Sequence, residues 1–370
     1  MNHHHQRDCI EVLVEKAQRG QISRRSFVKA MGVLAAVPLA MRGNISWATD
    51  KPLVLVNWGG DAINAYKKAF TDSFTKETGI EIRIDGSGPT EGAIRTQASS
   101  GNPSWDLVDA EPYTSETLGR EGILVPIDYG VVDKSQVGPG LANQYGVAGY
   151  QYSYVIAWDS KKFGTKGPAT WADFFNVDQF PGKRTLYKWM NGVLEAALIA
   201  DGVTPDKLYP LDVARALRKL DELKPHVLAY WSSGAESQQL MVEGEVSVGA
   251  IWNTRALLIN EDSEDRIKWN YDNAFITPSS WSVLKHGDAD RAPAMQFINS
   301  ALAPQKQVEL LKLMGNGTTN PRCAGMLSAE WLAKDCGSPE NLARQVKLDI
   351  EWYVDNYGAT LDQYLSRIGN

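Results

Sequence analysis

Apolar and polar positions follow two different periods in the part of the chain after residue 50. Short runs with the two-residue alternation of strands, or with continuous apolar character, are separated by segments whose apolar positions recur every three to four residues, as in helices. Glycine-rich turns stand near the strand ends. The order of strand, helix, strand, helix and strand predicts a parallel sheet covered by helices. These predicted elements are strands at 53–57, 80–84 and 106–108 and helices at 62–76 and 90–100.

The second half of the chain contains fewer strand signals and more helical ones. Residues 151–157 predict a strand that leaves the first group of elements, and the apolar run 246–252 predicts another. That run ends at a polar turn, Asn253-Thr254-Arg255. From residue 292 onward the periodicity is mostly helical. The predicted helices of this half are 170–175, 193–201, 212–223, 237–243, 292–303, 305–314, 341–346 and 361–368.

The length of the chain predicts two lobes. A single hydrophobic core stops growing at about 250–300 residues, and this chain has 370. No low-complexity linker separates the predicted elements, so we expect an α/β protein whose lobes are joined by several crossings of the chain. We assign residues 1–48 to a cleaved signal peptide, 49–150 with 276–318 to the first lobe, and 151–275 with 319–370 to the second.

The first 48 residues have the features of an export signal. The twin-arginine segment Ser23-Arg24-Arg25-Ser26-Phe27-Val28-Lys29 precedes an apolar run, 31–41, which is too short to span a bilayer. The segment resembles a twin-arginine translocation (Tat) signal, and this resemblance implies cleavage near Ala48 and a periplasmic protein. A buried N-terminal helix is the alternative. Loss of residues 1–48 would change the formal charge from −6 to −10.

Composition and motifs argue against several classes of function. Hydrophobic residues make up 43% of the chain and charged residues 22%, which is typical of a folded soluble protein. A net negative charge does not favour nucleic acid as the main partner. The predicted mature chain has only His226 and His286, far apart, so neither a histidine metal site nor a Ser-His-Asp triad is expected. We predict no cofactor and no metal, and an exported enzyme is the less favoured alternative.

Two cysteines remain after the predicted cleavage, Cys323 and Cys336. An even pair in an oxidising compartment predicts a disulfide. Closing a loop of about 14 residues would stabilise the fold by roughly 3 kcal/mol. Two independent buried thiols are the alternative.

Four turns that follow predicted strands are the expected places for ligand chemistry. In open α/β sheets, ligands bind beyond the carboxyl ends of the strands, where helix N-termini present free N–H groups. The turn 86–92, which contains Ser87, is one residue too long for the dinucleotide-binding pattern and is either an anion cradle or a plain turn. The four turns are Trp58-Gly59-Gly60, residues 86–92, Asp109-Ala110-Glu111-Pro112-Tyr113 and Ile251-Trp252-Asn253-Thr254-Arg255.

Several segments, in the same order along the chain, resemble the spermidine/putrescine-type periplasmic binding proteins of ABC transporters. The resemblance implies a type II periplasmic binding fold, in which two α/β lobes close by a hinge around a small ligand. It also implies delivery of the ligand to a membrane permease, and we expect a monomer. The segments are Asn57-Trp58, 74–80, Asp106-Leu107-Val108, Arg120-Glu121-Gly122, Thr170-Trp171-Ala172-Asp173, 241–246 and Ile251-Trp252-Asn253.

The charges at the expected site differ from those of a polyamine binder. Polyamine binders have carboxylates near the positions of residues 188–192 and 280–282, whereas this chain has Lys188 and, beyond Trp252, Arg255. A guanidinium forms two parallel hydrogen bonds with a carboxylate, so an organic anion is favoured, and Glu111 leaves room for a zwitterion. The predicted ligand-binding set is Trp58, Ser87, Glu111, Tyr113, Tyr152, Lys188, Trp189, Trp252, Arg255 and Trp281.

Two alternatives to this ligand class remain at the level of the sequence. One is a polyamine, whose cations the tryptophans could enclose. The other is ferric iron, which would need paired tyrosinates; Tyr150, Tyr152 and Tyr154 alternate along a predicted strand and could supply them. The 12 tryptophans of the chain predict either a large aromatic core or an aromatic ligand site, and those at turns expected to face one cleft favour the site.

Overall fold

The computed structural model of the protein describes residues 51–285 and 291–369, so the predicted signal peptide lies outside it. The described residues fall within one compact unit, 47–370. None of their helices has the length and apolar character needed to cross a membrane. Their strands are β1 (Leu53–Val56), β2 (Ile82–Asp85), β3 (Leu107–Ala110), β4 (Leu124–Val125), β5 (Gln151–Asp159), β6 (Arg184–Tyr187), β7 (Val227–Trp231), β8 (Val248–Trp252), β9 (Ile267–Trp269), β10 (Phe275–Pro278), β11 (Ser280–Leu284) and β12 (Val346–Lys347).

Helices connect these strands and cover the sheets. A π-helical turn, Lys67–Thr71, joins the helices Asp61–Tyr66 and Asp72–Thr78 into one continuous helical segment. The helices are α1 (Asp61–Tyr66), α2 (Asp72–Thr78), α3 (Glu91–Ser99), α4 (Pro112–Arg120), α5 (Ser160–Phe163), α6 (Trp171–Phe175), α7 (Val193–Ala200), α8 (Val213–Leu223), α9 (Gly234–Val242), α10 (Asn253–Asp262), α11 (Ala292–Ala301), α12 (Pro304–Met314), α13 (Ala329–Lys334), α14 (Pro339–Leu342) and α15 (Ile350–Gly369).

The first sheet has the order β2-β1-β3-β11-β4. β1 pairs in parallel with β2 and β3, which confirms the parallel sheet predicted from the first part of the sequence. Gly79 ends α2 in the left-handed conformation, with φ at 77°, as the helix stop before β2 required. The antiparallel strand β11 returns from far along the chain and sets Trp281 opposite Asp109. This return strand was not predicted.

The second sheet has the order β12-β10-β5-β8-β6-β7, with β9 also paired to β5. The predicted strands at 151–157 and 246–252 are therefore confirmed as the neighbours β5 and β8, which pair antiparallel. The expected helix at 341–346 is wrong, because α14 ends at Leu342 and the following β12 pairs with β10. The helix predicted at 361–368 is the end of the longer α15.

The chain passes between the two sheets at three neighbouring places. The Ser279 hydroxyl oxygen accepts from the N–H groups of Gly149 and Tyr150, at 3.1 and 3.2 Å. Gln151 and Gly317 exchange a pair of backbone hydrogen bonds beside them. Since β10 belongs to the second sheet and β11 to the first, the second crossing lies at Ser279. The first lies at Tyr150 and the third at residues 316–317. The predicted lobe boundary at residue 276 therefore falls inside β10.

The expected disulfide is not formed in the structure, in which Cys323 and Cys336 are free and buried. The two thiols have different surroundings. Cys323 Sγ lies 3.5 Å from the Pro304 carbonyl oxygen, on the side of α12. Cys336 belongs to the core cluster of the second sheet. The alternative of two independent thiols describes them.

The two thiols give a direct test of this arrangement. Alkylation without reductant should modify Cys323 and Cys336 in the denatured protein and neither in the native protein, because both are fully buried and burial raises the pKa of Cys323 to about 12. Peptide mapping by mass spectrometry would measure it. Recovery of a peptide pair linked through these cysteines would contradict the structure.

Candidate ligand-binding site

A cavity of about 400 Å³, part of it open to solvent, lies between the two sheets and is called here the first chamber. It is lined from the turns after β1 and β3, from the start of β5 and from the end of β8 with the first turn of α10. The cavity therefore lies where strands end, which is the usual position of ligand sites in open α/β sheets. Its lining residues are Trp58, Ala62, Tyr66, Glu111, Tyr150, Tyr152, Trp252, Thr254, Arg255, Met314 and Asn316.

Arg255 is the cation of the first chamber. It lies in the first turn of α10 and is only 2% exposed. One guanidinium nitrogen, Nη1, donates to the exposed carboxylate of Asp61 at 3.0 Å, whereas Nε has no hydrogen-bond partner. The side chain needs Gly234 beside it, because a Cβ there would lie 2.2 Å from Nε. Burial lowers the pKa of Arg255, and the Asp61 carboxylate opposes this.

Glu111 is the acid of the chamber, at the residue that precedes α4. Its Oε1 accepts from the Tyr152 hydroxyl at 2.5 Å, while Oε2 is buried without a partner. Burial raises the pKa of Glu111 to about 8. Two residues that line the chamber thus each keep one unpartnered polar atom, an acceptor on Glu111 and a donor on Arg255.

Aromatic rings form the walls between these polar groups. Tyr152 and Trp252 meet edge to face, with ring centroids 5.7 Å apart. Trp252 in turn packs edge to face on the fully buried Trp231, at 5.0 Å, so its ring is held from behind. Trp58, half-buried after β1, lines the chamber as well. Rigid aromatic faces can enclose an alkyl chain or an ammonium group.

A buried carboxylate, Asp109, binds two of the tyrosines that line the chamber. It accepts hydrogen bonds from Tyr66 at 2.8 Å, from Tyr150 at 2.8 and 3.0 Å, and from Trp281 Nε1 at 3.0 Å. Complete burial raises the pKa of Asp109 to about 6 although these three donors oppose the shift. Tyr66 and Tyr150 line the chamber, so Asp109 fixes the orientation of two wall residues.

A second chamber, of about 720 Å³ including space open to solvent, adjoins the first and shares Trp58 and Glu111 with it. Tyr113 lies there; its ring stacks on Tyr353 of α15, and its hydroxyl accepts from Asn191 at 2.5 Å. The remaining lining residues are Pro89, Thr90, Glu91, Gly92, Thr114, Tyr187, Trp189, Tyr357 and Leu361.

Seven of the ten predicted ligand-binding residues line the two chambers. The first chamber has Trp58, Glu111, Tyr152, Trp252 and Arg255, and the second adds Tyr113 and Trp189. Ser87 is exposed and lines neither chamber. Residues 89–92 of the same turn line the second chamber instead.

Lys188 and Trp281 are also outside both chambers. The Lys188 ammonium lies 5.5 Å from the centre of the Trp189 ring, and its side chain lines neither chamber. Trp281 is fully buried and stacks on Phe297, with ring centroids 5.5 Å apart. It is a core residue because β11 inserts into the first sheet, a pairing that the sequence pattern did not reveal.

The predicted ligand-binding set lacks six residues of the first chamber. Tyr66 comes from a predicted helix, and its only sequence signal was an aromatic residue on the buried face. Asn316 comes from the third crossing, and its Oδ1 is buried without a partner. Thr254 stood inside a predicted turn but was not singled out. The missed residues are Ala62, Tyr66, Tyr150, Thr254, Met314 and Asn316.

The three tyrosines considered for iron do not converge. Tyr150 and Tyr152 donate to Asp109 and Glu111, whereas Tyr154 is buried in the core, where its hydroxyl accepts from the Tyr187 N–H at 3.1 Å. Burial raises the pKa of all three phenols, which opposes the tyrosinate form. Among residues 51–285 and 291–369, no group of three or more His, Cys, Asp and Glu side chains could hold a metal ion.

Two sheets with three crossings, and a cavity between them with polar groups of both signs, define a bilobal binding protein of the type II periplasmic fold. Residues 69–336 match the model of the bacterial extracellular solute-binding protein family, and the chain belongs to that family. Its members serve as the binding subunits of ABC transporters rather than as enzymes.

Two relatives are named as binding proteins for small organic solutes. A gamma-aminobutyric acid-binding protein of Pseudomonas aeruginosa is 32% identical over 325 residues, covering 85% of this chain and 90% of that protein. A spermidine/putrescine-binding periplasmic protein of Escherichia coli is 24% identical over 308 residues, covering 80% and 86%. The resemblance to this group is confirmed.

Solved structures agree with the fold. An ABC transporter substrate-binding protein from Bradyrhizobium japonicum has a TM-score of 0.79 and 34% identity, covering 85% of this chain and 99% of that one. The PBP AgtB from A. tumefaciens R10, in complex with agropinic acid, has a TM-score of 0.79 and 30% identity, covering 87% and 100%.

Glu111 should make the stability of the ligand-free protein fall as pH rises. The carboxyl ionises near 4.5 when unfolded and near 8 when folded, so between these values the folded protein binds more protons. The free energy of unfolding therefore decreases across this window, by at most about 1.4 kcal/mol per pH unit, and stays low above it. Glu111→Gln, which cannot ionise, should lose this decrease.

Thermal melts of both proteins from pH 4.5 to 9 would measure the difference. Glu245→Gln, at an exposed position, is the matched control and should follow the wild type. Equal pH profiles of Glu111→Gln and the wild type would contradict the buried ionisation of Glu111.

Proposed function

We propose that the protein is the periplasmic receptor of an ABC importer for a small zwitterionic solute, an amino acid in the wide sense. The observation that carries the proposal is a pair of buried, unpartnered polar atoms of opposite chemistry on two residues that line the first chamber. They are the donor Nε of Arg255 and the acceptor Oε2 of Glu111. Buried polar groups are normally hydrogen-bonded, so unpartnered ones in a cavity point to a ligand.

The carboxylate of the solute binds at Arg255. The guanidinium supplies two parallel donors, and Asp61, its present partner, is an exposed carboxylate that the solute can replace. The residue before α10 is Trp252, which offers no side-chain cap, so the first N–H groups of the helix also favour an anion. Both features act on the same end of the ligand.

The amino group of the solute binds at Glu111. An ammonium there donates to Oε2 and restores the charge balance of a buried carboxylate. The faces of Trp58 and Trp252 add attraction for the cation and cover the carbon chain between the two ends. The gamma-aminobutyric acid binding named for the P. aeruginosa relative supports a ligand with both ends, and the agropinic acid held by the A. tumefaciens protein supports the acidic end.

A polyamine fits the chamber less well. It would present two or more cations, but Glu111 is the one carboxylate among the lining residues of the first chamber, and Arg255 would repel the second cation. Ferric iron is not supported by the positions of Tyr150, Tyr152 and Tyr154. The zwitterion is therefore the ligand class that uses both ends of the site.

The proposal extends to the location and state of the protein. The segment with Arg24 and Arg25 would direct export by the Tat pathway, cleavage near Ala48 would release the receptor, and it would act as a monomer that presents the loaded site to the permease. The relatives named above include periplasmic proteins, which supports this location.

Arg255→Ala should weaken binding of a zwitterion such as 4-aminobutanoate by about 100-fold, or about 3 kcal/mol, because a charged, buried partner of the carboxylate is lost. The melting temperature of the empty protein should change little, since the partner of Arg255 in the structure is the exposed Asp61. Titration calorimetry would measure the affinity. Lys188→Ala, next to the site but outside the chambers, should bind like the wild type.

An unaltered dissociation constant for Arg255→Ala would refute the role of Arg255. A rise in melting temperature with spermidine or putrescine, without one for any zwitterion, would refute the ligand class and restore the polyamine interpretation.

Replacing Arg24 and Arg25 together by Lys should retain the uncleaved precursor in the cytoplasm, because the Tat pathway reads the arginine pair. Fractionation with immunoblotting would show this, and N-terminal sequencing of the wild-type periplasmic form should place its start near residue 49. Normal export of the double-lysine variant would contradict the Tat assignment.

A further inference from the structure

The two chambers of the cleft are neighbours on either side of one acid. Trp58 and Glu111 line both of them, so the acid that we assign to the amino group stands at their boundary. A group bonded to the nitrogen of a solute held at Glu111 would extend from this boundary. The first chamber is occupied by the rest of the solute, as far as Arg255, so such a group would enter the second chamber.

We propose that the second chamber is a subsite for a neutral substituent on the amino group, and that the natural solute is an N-substituted amino acid. This inference rests on the proposed function, because it takes the ammonium position at Glu111 as its starting point. It extends that function by naming the part of the solute that an unsubstituted amino acid lacks.

The chemistry of the lining determines the kind of substituent. Tyr113, Tyr187, Trp189 and Tyr357 present aromatic rings, which pack on apolar groups and on the C–H faces of rings. No Lys or Arg is among the lining residues that the structure describes, so an anionic substituent would have no partner. Besides Glu111, the one acid is Glu91, whose Oε1 already pairs with Arg95 at 2.5 Å. A neutral group is therefore favoured.

The second chamber is also built from both sides of the cleft. Residues 89–92 and Tyr113 come from segments that flank the first sheet, whereas Tyr187, Trp189 and Tyr357 come from the second sheet and α15. A substituent placed there would contact both sides at once.

The test compares 4-aminobutanoate with N-benzyl-4-aminobutanoate, in which the nitrogen stays cationic and gains a neutral ring. Titration calorimetry on the purified protein gives the ratio of the two affinities. We expect the N-benzyl compound to bind the wild type at least as tightly as the parent. Trp189 lines the second chamber and not the first. Trp189→Ala should therefore lower the affinity for the N-benzyl compound, relative to that for the parent, at least tenfold. Arg255→Ala should weaken both compounds and leave the ratio near its wild-type value.

A second variant, Leu361→Trp, fills the chamber instead of emptying it and should exclude the ring; it decides the test if Trp189→Ala does not fold. N-benzyl binding more than tenfold weaker than the parent in the wild type, or a ratio that neither variant changes, would overturn the proposal. Absence of binding by both compounds would instead contradict the proposed zwitterion function, a different failure from loss of the N-benzyl compound alone.

Discussion

The carboxylate of Asp109, buried at the end of β3, is the interaction on which the site depends. Its three donors come from different parts of the chain: Tyr66 from α1, Tyr150 from the first crossing and Trp281 from β11. A buried carboxylate without partners would be costly, so these segments are constrained to meet around it. Tyr66 and Tyr150 also line the first chamber. One carboxylate therefore fixes the positions of side chains in the core of the first sheet and in the wall of the first chamber.

Glu111 lies two residues further along the same turn, and its environment gives it the opposite role. Asp109 has partners for both of its oxygens, whereas Glu111 has one partner, Tyr152, and one oxygen left without any. Burial raises the pKa of both groups, and more for Glu111. The first carboxylate is thus satisfied by the protein itself, and the second is left for a cation from outside.

The tryptophans divide in a similar way. Trp58, Trp189 and Trp252 line the chambers, while Trp171, Trp231 and Trp281 are fully buried. The two groups are in contact, since Trp231 supports Trp252 from behind. The high tryptophan content therefore reflects both a ligand site and the core that holds its walls rigid. Rigid walls favour affinity, because fewer side chains must be ordered when the solute binds.

The sequence by itself determined the class of fold, the βαβαβ start and the family, and it singled out seven of the residues that line the two chambers. These follow from local signals, namely periodicity, glycine-rich turns and charges placed just after strands, which act over a few residues. Only the tertiary structure decided the placement of β11 and β12, the crossing at Ser279, the burial of Trp281 and the unpaired state of Cys323 and Cys336. Each of these depends on pairing or packing between residues distant along the chain, for which a local pattern carries no signal.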